Sequence, residues 1–529
     1  MIRVSDIKLP VDADERKDLL KAAARRLKVK EKEIIGFKIY RRSVDARRDT
    51  VFFVYTIDVD LANEDRVLSG TADRGIARTP DMAYYYVDPG QERMTARPVV
   101  VGSGPAGLFA ALMLAEMGYG PRVFERGGDV DSRTAAVERF WNNGVLDPES
   151  NVQFGEGGAG TFSDGKLTTL IRDKRCGKVL EELVLAGAPG EIMYINKPHV
   201  GTDILKVVVK NLRKKIMGLG GEVRFNSRIS DILISGGRVV GVMADGLGEV
   251  EAGVVVLAIG HSSRDTFRMI YDRGIHVAPK AFSLGVRVEH PQRLIDLAQY
   301  KHSAGHEKLG PADYKLVYHD SGGRSCYTFC MCPGGVVVAA TSEAGCVVTN
   351  GMSFFARDRE NANSALLVGI TPDDFGSSHP LAGIELQRKW EKKAFEAGGG
   401  EYRAPAQTVG DFLAGKPSTG LGSVAPSYPR GVVPSDLRKC LPDYVAAVIR
   451  RAIAGFDGKL KGFAHPGAVL TGVETRSSSP VRILRNHLHE ASVEGLFPAG
   501  EGAGYAGGII SSAVDGIRVA EAVASKYRP

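Results

Sequence analysis

Three glycines in the run Arg97–Leu108 (RPVVVGSGPAGL) carry the most specific chemical signal in the chain. Gly102, Gly104 and Gly107 are spaced Gly-x-Gly-x-x-Gly, with Ser103, Pro105 and Ala106 between them, after a short apolar strand and before an Ala-rich helix. The first glycine permits a tight turn, the second lets the backbone approach a pyrophosphate at the helix N-terminus, and the third lets helix and strand pack closely. A second strand, Arg122–Phe124, ends in Glu125, eighteen residues past Gly107. A carboxylate there accepts hydrogen bonds from an adenosine ribose and repels a 2′-phosphate, which is the chemistry of holding FAD or NAD rather than NADP.

Three further segments favour FAD over NAD. Val254–Gly260 (VVVLAIG) is an apolar strand ending at a glycine, which brings backbone back toward a cofactor, with His261 and Arg264 just beyond. Gly495–Glu501 (GLFPAGE) is a strand ending in Gly500 and Glu501, where an acid reaches a ribityl hydroxyl. Gly504–Ile509 (GYAGGI) then opens the last helix at Gly508 and Ile509, whose free N–H groups stabilise negative charge on the pyrimidine end of a flavin.

Cys326, Thr328, Cys330 and Cys332 alternate along a strand predicted to end at Pro333-Gly334-Gly335, so the three thiols are expected on one face. Packing, metal binding and thiol chemistry beside the flavin all fit such a face. Zinc usually takes four ligands and His319 is the only nearby histidine, so no metal site is expected. Cys330, Cys332 and His261 are the candidates for catalysis. Glu474 and Arg476 read either as an ion-paired wall or as a substrate anion site, and Lys166 as a solvated turn residue.

With these motifs in place, the chain resembles the glutathione-reductase-like FAD superfamily, and more narrowly a family of bacterial FAD-dependent dehydrogenases of undefined substrate. The narrower resemblance rests on Phe154–Lys166 (FGEGGAGTFSDGK), Ile259–Thr266, Phe329–Gly335, Thr471–Pro480 and Gly500–Gly508, and it covers nearly the whole chain. It implies non-covalent FAD. It also implies that Arg126 and Arg133 lie along the pyrophosphate, that Gly157, Gly158, Ala159, Gly160 and Thr161 line the flavin side, that Gly260 borders the cofactor, and that Ile229 meets the adenine through its backbone.

A scaffold that positions these groups needs more than one core, and 529 residues supply two or three domains. Residues 1–95 read as a small ferredoxin-like α+β unit, with strands at Ile2–Leu9, Ile34–Arg42 and Val51–Val59 and a helix at Asp14–Leu27. A polar stretch, Asp88–Pro98, reads as a linker. The expected fold class is α/β: a two-domain FAD-binding Rossmann-like core formed by residues 96–263 and 464–529, interrupted by a mixed α+β substrate domain at 264–463. No second glycine-rich dinucleotide unit and no Cys-x-x-Cys exist, which disfavours a disulfide reductase of the usual layout and leaves NAD(P)H only the role of a transient donor.

Charge is uneven. Residues 1–48 hold fifteen Lys and Arg against eight acids, an excess of seven that equals that of the whole chain, 69 against 62. The basic N-terminal unit, with Arg41, Arg42, Arg47 and Arg48 around a turn, reads as a solvated basic face, with a site for an acidic partner or RNA as the alternative. Six cysteines, no apolar leader and no membrane-length apolar run point to a cytoplasmic protein with reduced thiols. The expected activity is FAD-dependent hydride transfer to or from a small-molecule substrate. The alternative is an RNA- or protein-binding module in which FAD is structural or redox-sensing.

Overall fold

The computed structural model describes residues 1–529. Its first unit runs strand Ile2–Pro10, helix Glu15–Leu27, strands Ile34–Asp45 and Phe52–Leu61, helix Glu64–Ser69 and strand Ile76–Arg78. The four strands form one antiparallel sheet in the order second, third, first, fourth, the ferredoxin-like arrangement of a split βαβ. Val51, Phe53, Tyr55, Ile57 and Val59 are buried, as are Leu19, Ala23 and Leu27 one turn apart on the helix. Asp14 caps that helix by accepting from the Lys17 N–H.

This unit is not an isolated bead. Its buried side chains continue into those of a seven-stranded sheet further along the chain. Lys301 pairs with Asp49 and His306 with Asp12, each at 2.8 Å. Its edge strand exchanges backbone hydrogen bonds through Arg42 with Tyr194 and Asn196, at 2.7 and 2.8 Å. The arginines expected to form a free basic face are partly used: Arg41 donates to Asn196, Arg42 pairs with Glu15, and Arg47 pairs with Asp45. Arg48 remains exposed.

Next comes a five-stranded parallel sheet in the order 496–498, 255–257, 99–101, 122–124, 222–224. Its strands 496–498, 255–257 and 99–101 are buried throughout, which is why they read as unbroken apolar runs. Helices Pro105–Glu116, Thr202–Gly218 and Ile509–Lys526 share a core on one face. A three-stranded meander spanning 229–251 shares the other core with Val99, Val101, Val255 and Leu257.

The third unit is the seven-stranded sheet, ordered 317–319, 325–332, 361–370, 282–291, 469–474, 404–408, 432–434. Strand Val469–Glu474 was expected in the returning half of the nucleotide fold, after a boundary at 463. Instead it pairs with Phe282–Pro291 and Ala404–Thr408 inside this sheet. The chain crosses between the two sheets where Val277–Pro279 pairs antiparallel with Val481–Ile483, so the inserted unit extends to about Glu474. No helix is long and apolar enough to cross a membrane.

The stretch expected to be a linker is docked. Within it Glu92–Arg93 pairs parallel with Tyr527–Arg528, and just before it Tyr84 donates to Glu521 at 2.8 Å and Tyr86 to Glu116 at 2.7 Å. A chain beginning at Thr95 loses all of these, whereas one beginning at Asp81 keeps them. We expect the Thr95 chain to be less stable than the Asp81 chain by about 1–3 kcal/mol, for one part-buried and one exposed hydrogen bond and the apolar area that Tyr84 and Tyr86 cover. Equal denaturation midpoints for the two chains would contradict this.

Candidate cofactor and active site

The Val99–Val101 strand turns at Gly102, whose φ of +97° suits a residue without Cβ. A Cβ on Gly107 would lie 1.9 Å from the Gly102 carbonyl oxygen, so helix and turn meet this closely only because Gly107 is glycine. Gly104 differs. A Cβ there would meet only Gly158 Cα at 3.7 Å, so the protein itself does not require the glycine, and the space it leaves opens above the N-terminus of the Pro105–Glu116 helix. That helix has no side-chain cap and no acid in its first turn, and neither has the Ile509–Lys526 helix beyond Gly508. Two helix ends with unspent N–H groups and their partial positive charge therefore face one cavity.

The cavity, about 330 Å³, runs between the parallel and seven-stranded sheets. At one end it is lined by Gly104, Ala106, Glu125, Arg126, Arg228 and Ile229. Gly158, Ala159, Gly160, Gly260, His261, Glu501, Gly508 and Ile509 border its middle, and Lys166, Phe329, Cys330, Asn350, Glu474 and Arg476 its far end. Glu125 is held rigidly: one oxygen accepts from the Ser103 N–H and hydroxyl at 2.9 and 2.8 Å, the other from Gly127 and Gly155 N–H, both at 3.0 Å. Arg126 lies over the Phe154 ring and pairs with Glu149 and Asp265.

Some expected cofactor residues sit one layer back. Arg133 does not reach the cavity: its guanidinium is fully buried and donates to the carbonyls of Asn151, Val152, Gly155, Glu156 and Gly158. It shapes the loop that presents Gly158 rather than touching a phosphate. Gly157 and Thr161 brace the same loop, the first donating to the Ser103 carbonyl and the second accepting, through its own carbonyl, from the Thr202 hydroxyl. Gly500 donates to Asp515, which Arg485 holds at 2.6 Å, and this fixes the turn that places Glu501 on the cavity wall.

Glu474 and Arg476 do not pair with each other. Glu474 pairs with the fully buried Arg287 at 2.8 Å, and burial pushes its carboxyl up to about 7 although Arg287 pulls the other way. Arg476 and Arg264 both close on Glu391, at 3.0 and 2.8 Å, with the Thr475 hydroxyl donating to the same carboxylate. Burial alone would raise Glu391, but the two guanidiniums outweigh it and hold its carboxyl well below the usual range. The triad joins helix Arg264–Asp272 of the nucleotide fold to helix Ala382–Ala397 and the strand end at Arg476. His261 donates from Nε2 to the Arg476 carbonyl at 2.7 Å, which leaves Nδ1 as the acceptor of the neutral ring. Glu343, Cys346 and Glu391 have metal-like spacing, but both carboxylates are spent on Arg264, Arg388 and Arg476.

The thiol face is corrected. The pairing of strand Ser325–Cys332 passes from Phe329 opposite Ala365 to Cys332 opposite Asn363, which inserts one extra residue. After this bulge Met331 turns into the core, Cys326 stays buried in it, and only Cys330 of the three thiols lines the cavity. Cys332 lies beneath, fully buried. Lys166 is no solvated turn residue: it pairs with Asp164 at 3.0 Å and donates to the Met331 carbonyl. Arg287 is the group that sequence reasoning missed. Its signal is a charge between the valines of a strand, Phe282–Pro291, every residue of which is buried except the last.

Residues 281–477 match the family described as FAD-dependent protein, C-terminal domain-like, and residues 1–60 match a domain of unknown function. An uncharacterised protein of Clostridium beijerinckii is 51% identical over 529 residues, 99% of each chain. A digeranylgeranylglycerophospholipid reductase of Haloferax volcanii is 30% identical over 170 residues, covering 31% of this chain and 35% of that one. Among solved structures, L-proline dehydrogenase from P. horikoshii is 14% identical, with 82% of this chain and 93% of that chain covered at a TM-score of 0.33. The chain belongs to the family of the clostridial protein, and its residues 281–477 carry the domain of FAD-dependent proteins.

Glu391→Gln leaves Arg264 and Arg476 facing a neutral amide in the interior. We expect it to cost about 3–5 kcal/mol in denaturant unfolding at pH 7. Because the folded Glu391 is held below its unfolded value of about 4.3, its contribution is present above that pH and fades as the pH falls further. The gap between wild type and variant should therefore narrow below about pH 4; a gap that is absent at pH 7 or widens in acid would contradict the assignment.

Proposed function

We propose that this family member is an FAD-dependent oxidoreductase that passes a hydride between non-covalent FAD and a small molecule bound at the Cys330 end of the cavity. The observation that carries the reading is the convergence of two uncapped helix N-termini and the open space at Gly104 on one cavity that begins at Glu125. Glu125 would hold the adenosine ribose, the N–H groups beyond Gly104 the pyrophosphate, and Gly260, Glu501 and the N-terminus at Ile509 the flavin half. FAD, when bound, supplies the two-electron chemistry.

The chain's own groups set orientation and protons. Glu474, with its carboxyl near 7, is a donor below that pH and an acceptor above it, at the wall where Cys330 also opens. His261, tethered to Arg476, offers Nδ1 as a second acceptor. Cys330 faces the substrate end, and Cys332 acts from beneath it. NAD(P)H, as a transient donor, would have to enter the same cavity, and anaerobic reduction with NADH and NADPH in turn tests that. The engaged arginines Arg41, Arg42 and Arg47 favour this reading over an RNA- or protein-binding module.

Protein purified without added cofactor should be yellow and should release FAD, not FMN, on acid denaturation. A colourless protein that FAD does not reconstitute would contradict the proposal. Gly104→Val fills ligand space without crowding the backbone, so it should fold and yet retain FAD at least about 10- to 100-fold more weakly. The pH profile of flavin reduction should inflect near 7 in the wild type, and Glu474→Gln should flatten it.

A further inference from the structure

Cys330 is held in a conformation that a cysteine seldom takes. Its φ is +44°, in the left-handed region, at the bulge that ends the Ser325–Cys332 strand. Such a residue is strained and persists only where its surroundings enforce it. Here two cations enforce it from opposite sides of the domain joint. Arg287 donates twice to the Cys330 carbonyl, both at 3.2 Å, and its Nη1 lies 3.9 Å from Cys332 Sγ. Lys166, from the nucleotide fold, donates to the Met331 carbonyl between the two cysteines. Asp164 and Glu474 anchor these cations, and Arg357 adds a third positive charge on Asp164.

Cys330 and Cys332 are also two residues apart at the end of one strand, close to the spacing a disulfide spans. An extended strand sets residues i and i+2 roughly 6.6–7.2 Å apart at Cα, at or beyond the usual disulfide limit of about 6.8 Å. Here the chain turns Cys332 back on its neighbour, so that Cys332 Sγ lies only 3.3 Å from the Cys330 carbonyl oxygen. The hydrogen bond from Cys332, together with Lys166 and Arg287, lowers the Cys330 thiol against the opposing effect of burial, while Cys332 is pushed up. Both shifts favour the thiolate on Cys330, at the cavity wall, and the proton on Cys332 beneath it.

We propose that Cys330 and Cys332 form a dithiol–disulfide couple that exchanges an electron pair with the flavin. This rests on the FAD reading above and assigns a second redox centre beside it. In the oxidising direction the Cys330 thiolate and the Cys332 thiol lose two electrons and one proton as the S–S bond forms. The oxidised flavin takes both electrons and that proton, so charge and hydrogen balance. The reverse reaction breaks the S–S bond and returns a thiolate and a thiol.

The test counts electrons. Air-oxidised, FAD-loaded wild type titrated anaerobically with dithionite should take about four electrons per FAD, two for the flavin and two for the disulfide. Cys330→Ser and Cys332→Ser should each take about two. A non-reducing digest of the oxidised wild type, with or without flavin, should give a peptide containing Cys330 and Cys332 that is lighter by two hydrogens and that accepts two alkyl groups after dithiothreitol. The wild-type count and the peptide mass require no variant to fold. About two electrons per bound FAD in the wild type, or both cysteines alkylated in the oxidised protein, would overturn the proposal. A linked peptide in a protein that binds no FAD would instead overturn the cofactor reading on which it rests.

Discussion

Glu391 is the carboxylate on which the joint between the two large sheets depends. It is fully buried, and Arg264 and Arg476 reach it from different parts of the fold. Removing Glu391 would leave Arg476 in the interior without a charged partner, and removing either arginine would leave Glu391 with one guanidinium in place of two, so their relative positions are fixed by a penalty of several kcal/mol rather than by a soft apolar contact. Arg476 follows directly on the strand that carries Glu474, and its carbonyl tethers His261. The triad therefore sets how the far wall of the cavity stands relative to the glycine-rich turn. A less polar joint of the same area would leave the two halves freer to slide.

The same logic recurs at the far end. Arg287, Lys166, Arg357, Asp164 and Glu474 are buried or half-buried at a surface where two units of the chain meet. Their charges do not simply cancel in pairs, because burial leaves Glu474 only partly ionised near neutral pH. Positive charge in excess beside a cavity-facing sulfur is the condition under which a thiolate is stabilised.

The parts of this arrangement that are legible in the sequence are those whose causes are local. Strand, Gly-x-Gly-x-x-Gly turn, helix and Glu125 lie within 27 residues of one another, and each requirement is met by neighbours in the chain. The N-terminal unit is legible for the same reason, through the alternation from Val51 to Val59 and the helix-spaced Leu19, Ala23 and Leu27. The site's ion pairs are not. Arg287 and Glu474 are 187 positions apart, and Arg264 and Glu391 are 127 apart, so nothing in either neighbourhood names the partner. Arg133 looks like a phosphate ligand by position, yet five carbonyls of one loop compete for it and win. The alternation of Cys326, Cys330 and Cys332 predicts a common face only while the strand stays regular, and two distant cations break it. Val469–Glu474 is a strand by composition, but which sheet it joins is decided by Phe282–Pro291, nearly two hundred residues upstream.

The central claim is that one cavity, bounded by Glu125 at one end and by Cys330 and Glu474 at the other, holds an extended FAD. The most direct measurement is electron density for the protein crystallised with the ligand it retains on purification. The account predicts continuous density from the Glu125 carboxylate past the N-terminus of the Pro105–Glu116 helix to a three-ring system between Gly508 and the Cys330–Glu474 wall. A flavin found elsewhere, or one bound in the reverse sense with its rings at Glu125, would contradict it.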